Sequence, residues 1–161
     1  KDSTRSEGVI EKGEIQFMSA GTGVTHSEMN GSSTEAVKFL QIWLFPNKQN
    51  ITPRYGQMNY EVGENEIKTL IQPETQEGTL RLQQNAWFKM AKFNANESFE
   101  LKVEDPANNG IYLFLLSGSI DVDGNTLNTR DAIGVWETEN ISIKMNENSE
   151  FLVMEVPMNI N

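Results

Sequence analysis

An all-β fold, built as two strand-rich blocks joined by a Pro- and Gly-punctuated connection, is predicted by three features of the sequence. Residues 79–161 carry short apolar runs at regular spacing, several alternating with period two and separated by Asn, Asp and Gly. Asp123-Gly124 lies between two such runs as a two-residue hairpin turn of the type I′ kind. No stretch carries the apolar periodicity of a long amphipathic helix. Together these describe an antiparallel sandwich or barrel.

In chain order, Val9-Ile10 reads as a strand end before the turn Glu11 to Glu14, and Ile15 to Met18 as a short strand. Gly21-Thr22-Gly23 is a turn whose glycines suit positive φ or close backbone approach. Val24 to Met29 follows as a strand and Asn30 to Thr34 as a loop. Val37 to Phe45 is apolar, β-branched and aromatic and stops at Pro46, which predicts a strand buried on both faces; a buried helix has the same periodicity. Trp43 and Phe45 read as core groups, and Arg54 and Tyr55 as packing residues.

The connection is placed at residues 57–78, within a stretch broken by Pro46, Pro53, Gly56 and Gly63. Ile67 to Ile71 inside it is a strand or a short turn of helix. Beyond Thr79, strands are predicted at Thr79–Leu82, Ala86–Phe93, Ser98–Val103, Gly110–Leu116, Ser119–Val122, Asp131–Trp136, Ile141–Lys144 and Phe151–Val156.

The 161 residues hold 13 basic and 23 acidic side chains, a formal charge of -10. That sign opposes a phosphate backbone, and no Lys or Arg run offsets it, so direct nucleic-acid binding is not expected. The absence of cysteine excludes disulfides, thiolate metal sites and cysteine nucleophiles, and fits a reducing compartment. No apolar run reaches membrane-span length, and Lys1 to Ile10 lacks the apolar centre of a signal peptide, so a soluble cytoplasmic chain without membrane contact is expected. Asn50-Ile-Thr52, Asn96-Glu-Ser98 and Asn140-Ile-Ser142 fit the glycosylation pattern as chance matches. Neither Gly21-Thr-Gly23 nor Ser117-Gly-Ser119 has the context of a nucleotide fingerprint.

The chemistry concentrates at His26, the one histidine of the chain, and Glu28. In an extended segment an i, i+2 pair points to one side, so imidazole and carboxylate meet as metal ligands can. On spacing alone a solvated strand face is the favoured explanation, since two donors are half of a typical protein metal site.

The segment from Gly13 through Gly23 to His26-Ser-Glu28, with Ser32-Ser-Thr-Glu35, Gln41-Ile-Trp-Leu44 and Ile51-Thr-Pro-Arg-Tyr55, resembles the pirin family, and within it the bacterial pirin-like quercetin 2,3-dioxygenases. The resemblance implies a bicupin, two RmlC-like jelly-roll cupin barrels. Residues 1–56 would form a partial N-terminal cupin, truncated because the chain opens at Lys1-Asp-Ser without an initiating Met; residues 79–161 would form a metal-free C-terminal cupin. It implies one divalent transition metal held by three histidines and a glutamate. His26 and Glu28 match the later two ligands, and the upstream His-x-His pair has no counterpart here. Iron is the first expectation, with zinc, nickel, copper, manganese or cobalt also suited to such donors.

The implied activity is dioxygen-dependent cleavage of a flavonol such as quercetin, with Glu28 as ligand or base for the 3-hydroxyl proton. The alternative is a non-catalytic, metal-sensing interaction module or transcriptional cofactor. With half a ligand set, this chain alone is expected to bind metal weakly and to lack normal turnover. Unpaired edges of a partial barrel predict a homo-oligomer, by strand-edge pairing or by exchange of residues 1–45.

Overall fold

The computed structural model describes residues 8–159; the opening Lys1-Asp-Ser lies outside them. The chain divides into two compact units, Lys1–Tyr60 and Glu61–Asn161. Every regular element among the described residues is a β-strand, as the sequence predicts.

The second unit holds two sheets. The six-stranded sheet runs β10 (Ala132–Val135), β7 (Asn109–Ser117), β12 (Ser149–Pro157), β5 (Trp87–Phe93), β3 (Glu66–Gln72), β4 (Leu80–Arg81). The four-stranded sheet runs β6 (Ser98–Lys102), β11 (Asn140–Met145), β8 (Ser119–Val122), β9 (Asn125–Asn128). All pairings are antiparallel except β3 with β4, where Ile71 faces Leu80. Period-two patterning does what it should: in β11 Ile141, Ile143 and Met145 are fully buried and their neighbours exposed. Leu113, Leu115, Phe151 and Val153 of one sheet meet Leu101, Ile120, Val122 and Ile143 of the other in a single core. Phe93 stacks on Phe99 at 4.6 Å between ring centroids and on Phe151 at 6.3 Å. The β8–β9 turn takes φ of 45° at Asp123 and 81° at Gly124, the left-handed pair that a type I′ turn requires.

One carboxylate lies inside this apolar shell. Glu155, 1% exposed, sits opposite Trp87 and Ile111 near the end of β12. The Glu104 amide donates to its Oε2 at 2.9 Å; the Asp105 amide and the Asn109 side-chain amide donate to Oε1 at 2.8 and 3.0 Å. Lys89 donates to Glu104 at 2.6 Å beside it. The β6–β7 connection is thereby fastened to the sheet by a buried anion whose lone pairs are used.

In the first unit β1 (Glu14–Ser19) pairs antiparallel with β2 (Arg54–Asn59), from Glu14 opposite Asn59 to Ser19 opposite Arg54. None of its described residues is buried. This corrects the reading of Val37 to Phe45 as a doubly buried strand: the run forms no strand, and Phe39, Trp43 and Phe45 are 65, 87 and 70% exposed. β propensity supplies a fit to a pleated, covered surface, but a strand also needs a ladder partner and a covering layer, and the described residues provide neither. Val24 to Met29 likewise forms no strand beyond a single bridge at His26, and Val9 and Ile10 are exposed coil. Within 57–78 lie the end of β2 and all of β3, which is the strand alternative for Ile67 to Ile71.

Candidate metal centre

β1 ends at Ser19 and the chain reverses at once. The Gly23 amide donates to the Ala20 carbonyl at 2.8 Å across Gly21-Thr22, and the Thr22 amide donates to the Ile51 carbonyl at 3.0 Å. Gly21 has φ +52°, and a Cβ there would collide with the Ile51 carbonyl, so the turn needs glycine for both conformation and space. The reversal delivers His26 and Glu28 just beyond it.

His26 Nε2 stands 3.8 Å from Glu28 Oε1, with the side chains 35 and 44% exposed. The pair anticipated from an extended strand therefore meets without one. The other carboxylate oxygen, Oε2, accepts from Gln41 Nε2 at 3.4 Å. Gln41 escaped the sequence reading as a site residue; its signal was a lone amide within Phe39-Leu-Gln-Ile-Trp43. Downstream, the Ser32 amide donates to Asn30 Oδ1 at 3.0 Å, the Glu35 amide to Ser32 Oγ at 2.9 Å, and Asn30 Nδ2 to the Glu35 carbonyl at 2.7 Å. These side-chain-to-backbone bonds fold residues 30–35 into a local loop. Arg54 and Tyr55 lie on β2 opposite Ser19 and Met18, and Tyr55 donates to Gln57.

The donor chemistry can be tested against a metal. Metal–nitrogen and metal–oxygen bonds of about 2.0–2.2 Å place adjacent donors roughly 3 Å apart. A gap of 3.8 Å closes to that by small side-chain rotations, which the exposure of both groups permits. The pair fits two ligand positions, and Gln41 fits an outer residue that orients the carboxylate. It does not fill a site: no group of three or more His, Cys, Asp or Glu is gathered among the described residues. With one histidine in the chain, three-histidine ligation is beyond it. A concavity of about 330 Å³ in the second unit, lined by residues including Lys68, Thr69, Gln72, Gln76 and Thr79, contains neither His26 nor Glu28.

Comparison with known proteins bears on the same segments. Residues 1–44 match the family model described as Pirin, and residues 69–156 match the quercetinase C-terminal cupin domain. The second match alone covers more than half of the chain. The chain belongs to the pirin family. This pirin is 30% identical over 158 residues to quercetin 2,3-dioxygenase of Escherichia coli, a match covering 98% of this chain and 67% of that enzyme. The crystal structure of YhhW from Escherichia coli superposes with a TM-score of 0.93 at 29% identity, covering 100% of this chain and 68% of YhhW. A structure of the bacterial pirin YhhW in complex with nickel(II) gives a TM-score of 0.84 at 32% identity, covering 90% and 62%. The fold is thus the all-β cupin fold of the pirin family, and the chain spans about two thirds of the length of these relatives.

Proposed function

We propose that this pirin is the metal-binding and C-terminal cupin portion of a flavonol 2,3-dioxygenase, with quercetin-like flavonols as the substrate class. The single observation that carries the reading is the His26–Glu28 pair at 3.8 Å, in a segment matching the pirin model of a chain related to quercetin 2,3-dioxygenases. His26 and Glu28 would hold a divalent metal, with iron and nickel the first to test, nickel because YhhW has been crystallised with it. Bound there, the metal supplies a Lewis-acidic centre for flavonol and dioxygen.

The residues of this chain have definable tasks. Glu28 serves as a metal ligand or, with its carboxylate off the metal, as the base that accepts the proton of the flavonol 3-hydroxyl, leaving the 3-oxygen anionic and the ring electron-rich. Gln41, donating to the opposite carboxylate oxygen, fixes the direction from which Glu28 receives it. His26 presents Nε2 toward Glu28, which sets the nitrogen that would face the metal. Two donors bind metal weakly, and no third His, Cys, Asp or Glu joins them among the described residues, so the reading needs further donors to complete the set.

The test is metal content by elemental analysis, on the chain and on His26→Ala, beside dioxygen uptake with quercetin. The reading expects binding that His26→Ala abolishes, and flavonol consumption only when further donors complete the set. Equal metal content in both proteins would remove it. The alternative is a metal-sensing interaction module that binds without turnover; metal uptake without flavonol consumption in a full ligand set would select it.

A further inference from the structure

We propose that Asn30 is a site of self-catalysed deamidation, in which the loop that holds it supplies the donor that the reaction needs. Asn is followed by Gly twice in the chain, at Asn30-Gly31 and at Asn109-Gly110. The dipeptide is reactive because glycine has no Cβ to keep its backbone nitrogen from the preceding side-chain amide. Folding gives the two copies opposite fates.

At Asn109 the reaction is blocked. The residue is 3% exposed, and its Nδ2 donates to the Asn85 carbonyl and to Glu155 Oε1, each at 3.0 Å. Gly110 is paired with Val156 in the β7–β12 ladder, so its nitrogen cannot swing onto the Asn109 side chain without opening the sheet. Asn30 and Gly31, by contrast, are exposed and outside any strand, and a Cβ at Gly31 would meet nothing within 4 Å. The Ser32 amide donates to Asn30 Oδ1 at 3.0 Å, a side-chain turn that draws Cγ over the following peptide. The oxygen on which negative charge develops during attack thus already has its donor.

The Gly31 nitrogen loses its proton to solvent base and attacks Asn30 Cγ. The N–Cγ bond forms, the Cγ–Nδ2 bond breaks, and ammonia leaves with a proton from water. Water then adds to one carbonyl of the five-membered imide and breaks one of its C–N bonds, leaving aspartate or isoaspartate at position 30. Neither product can donate to the Glu35 carbonyl, so the 2.7 Å bond from Nδ2 that closes the 30–35 loop is lost and oxygen faces oxygen. That loop connects Glu28 to Gln41, so its opening bears on their 3.4 Å contact.

Peptide mapping by mass spectrometry, over days at neutral to mildly alkaline pH, tests this on the folded chain and on the chain in urea. The folded chain should gain about 1 Da at Asn30, with isoaspartate among the products, and faster as pH rises. In urea Asn109 should convert as well, while Asn30 should convert no faster than in the folded chain, since unfolding takes away the Ser32 donor. Gly31→Ala, which has room for its Cβ, should slow conversion at Asn30 about 10-fold or more. In the modified chain the Ser32 and Glu35 amides should exchange hydrogen faster, with β12 unchanged. An Asn30 that stays intact in the folded chain, or that converts faster in urea, overturns the inference. So does a folded chain in which Asn109 converts at the rate of Asn30, or a Gly31→Ala chain that converts as fast as the original.

Discussion

Replacing Glu155 by Gln preserves shape and removes one charge at the centre of the second unit. In the native chain its two oxygens accept from three donors, the amides of Glu104 and Asp105 and the side chain of Asn109. The best placement of Gln keeps its carbonyl at the Oε1 position, where two of those donors converge. Its amino group then faces the Glu104 N–H, donor against donor, with Glu155 only 1% exposed. Losing a hydrogen bond to a charged group costs about 1.5–3 kcal/mol, and an unsatisfied buried donor about 1–3 kcal/mol. The expected loss is about 3 kcal/mol, read as a lower urea midpoint at unchanged m and a melting temperature lower by roughly 10–20 °C for a unit of this size. Glu150→Gln, at the one exposed position of the same strand, should shift stability by under about 0.5 kcal/mol. A Glu155→Gln loss below about 1 kcal/mol would refute the reasoning, because the carboxylate would then not be holding the β6–β7 connection.

Further expectations concern two glycines, an ion pair and the candidate ligand. Gly21→Ala meets both a positive φ and the Ile51 carbonyl, whereas Gly124→Ala at φ +81° meets open space. Gly124→Ala should therefore cost about 1 kcal/mol in melts of the second unit, while Gly21→Ala should abolish hydrogen-exchange protection of the Thr22 and Gly23 amides. Glu104→Gln retains an acceptor for Lys89, and the Glu104 side chain is 43% exposed, so the loss should be about 1 kcal/mol or less in urea. Gln41→Leu removes the donor to Glu28 and should weaken metal uptake by the chain about 10-fold, short of the complete loss expected for His26→Ala, both read by titration with nickel(II).

Legibility in the sequence tracked how far each strand's surroundings are encoded locally. β8 and β11 announced themselves because a two-layer packing writes its inside and outside into alternate residues, as at Ile141, Ile143 and Met145, and β12 did so as a continuous apolar run, Phe151 to Met154 all buried. The Asp123-Gly124 turn was readable because its backbone conformation restricts residue type. β2 was missed: Arg-Tyr-Gly-Gln-Met-Asn is half polar, and its strand state comes from pairing with β1 across 34 residues of intervening chain. Val37 to Phe45 erred in the opposite direction, since composition records what a run can pack against and not whether that layer is present. The approach of His26 to Glu28 was visible through residue type and spacing. Gln41 was not, because its relation to Glu28 spans 13 positions and exists only in three dimensions.

The strand order of the large sheet bears on how the polypeptide acquires its shape. β12 lies between β7 and β5, although it follows both in the chain. β7 is complete at Ser117 and β12 at Pro157, so at about 5–20 residues per second a ribosome leaves an interval of roughly 2–8 s with both neighbours made and their shared partner unmade. Through that interval Leu113 and Leu115 lack their cross-strand neighbours Val153 and Phe151, and two raw strand margins wait at the centre of the future sheet. The six-stranded sheet can therefore join across its middle only once β12 has been made, and unpaired strand margins of this kind are what exposes a nascent chain to aggregation.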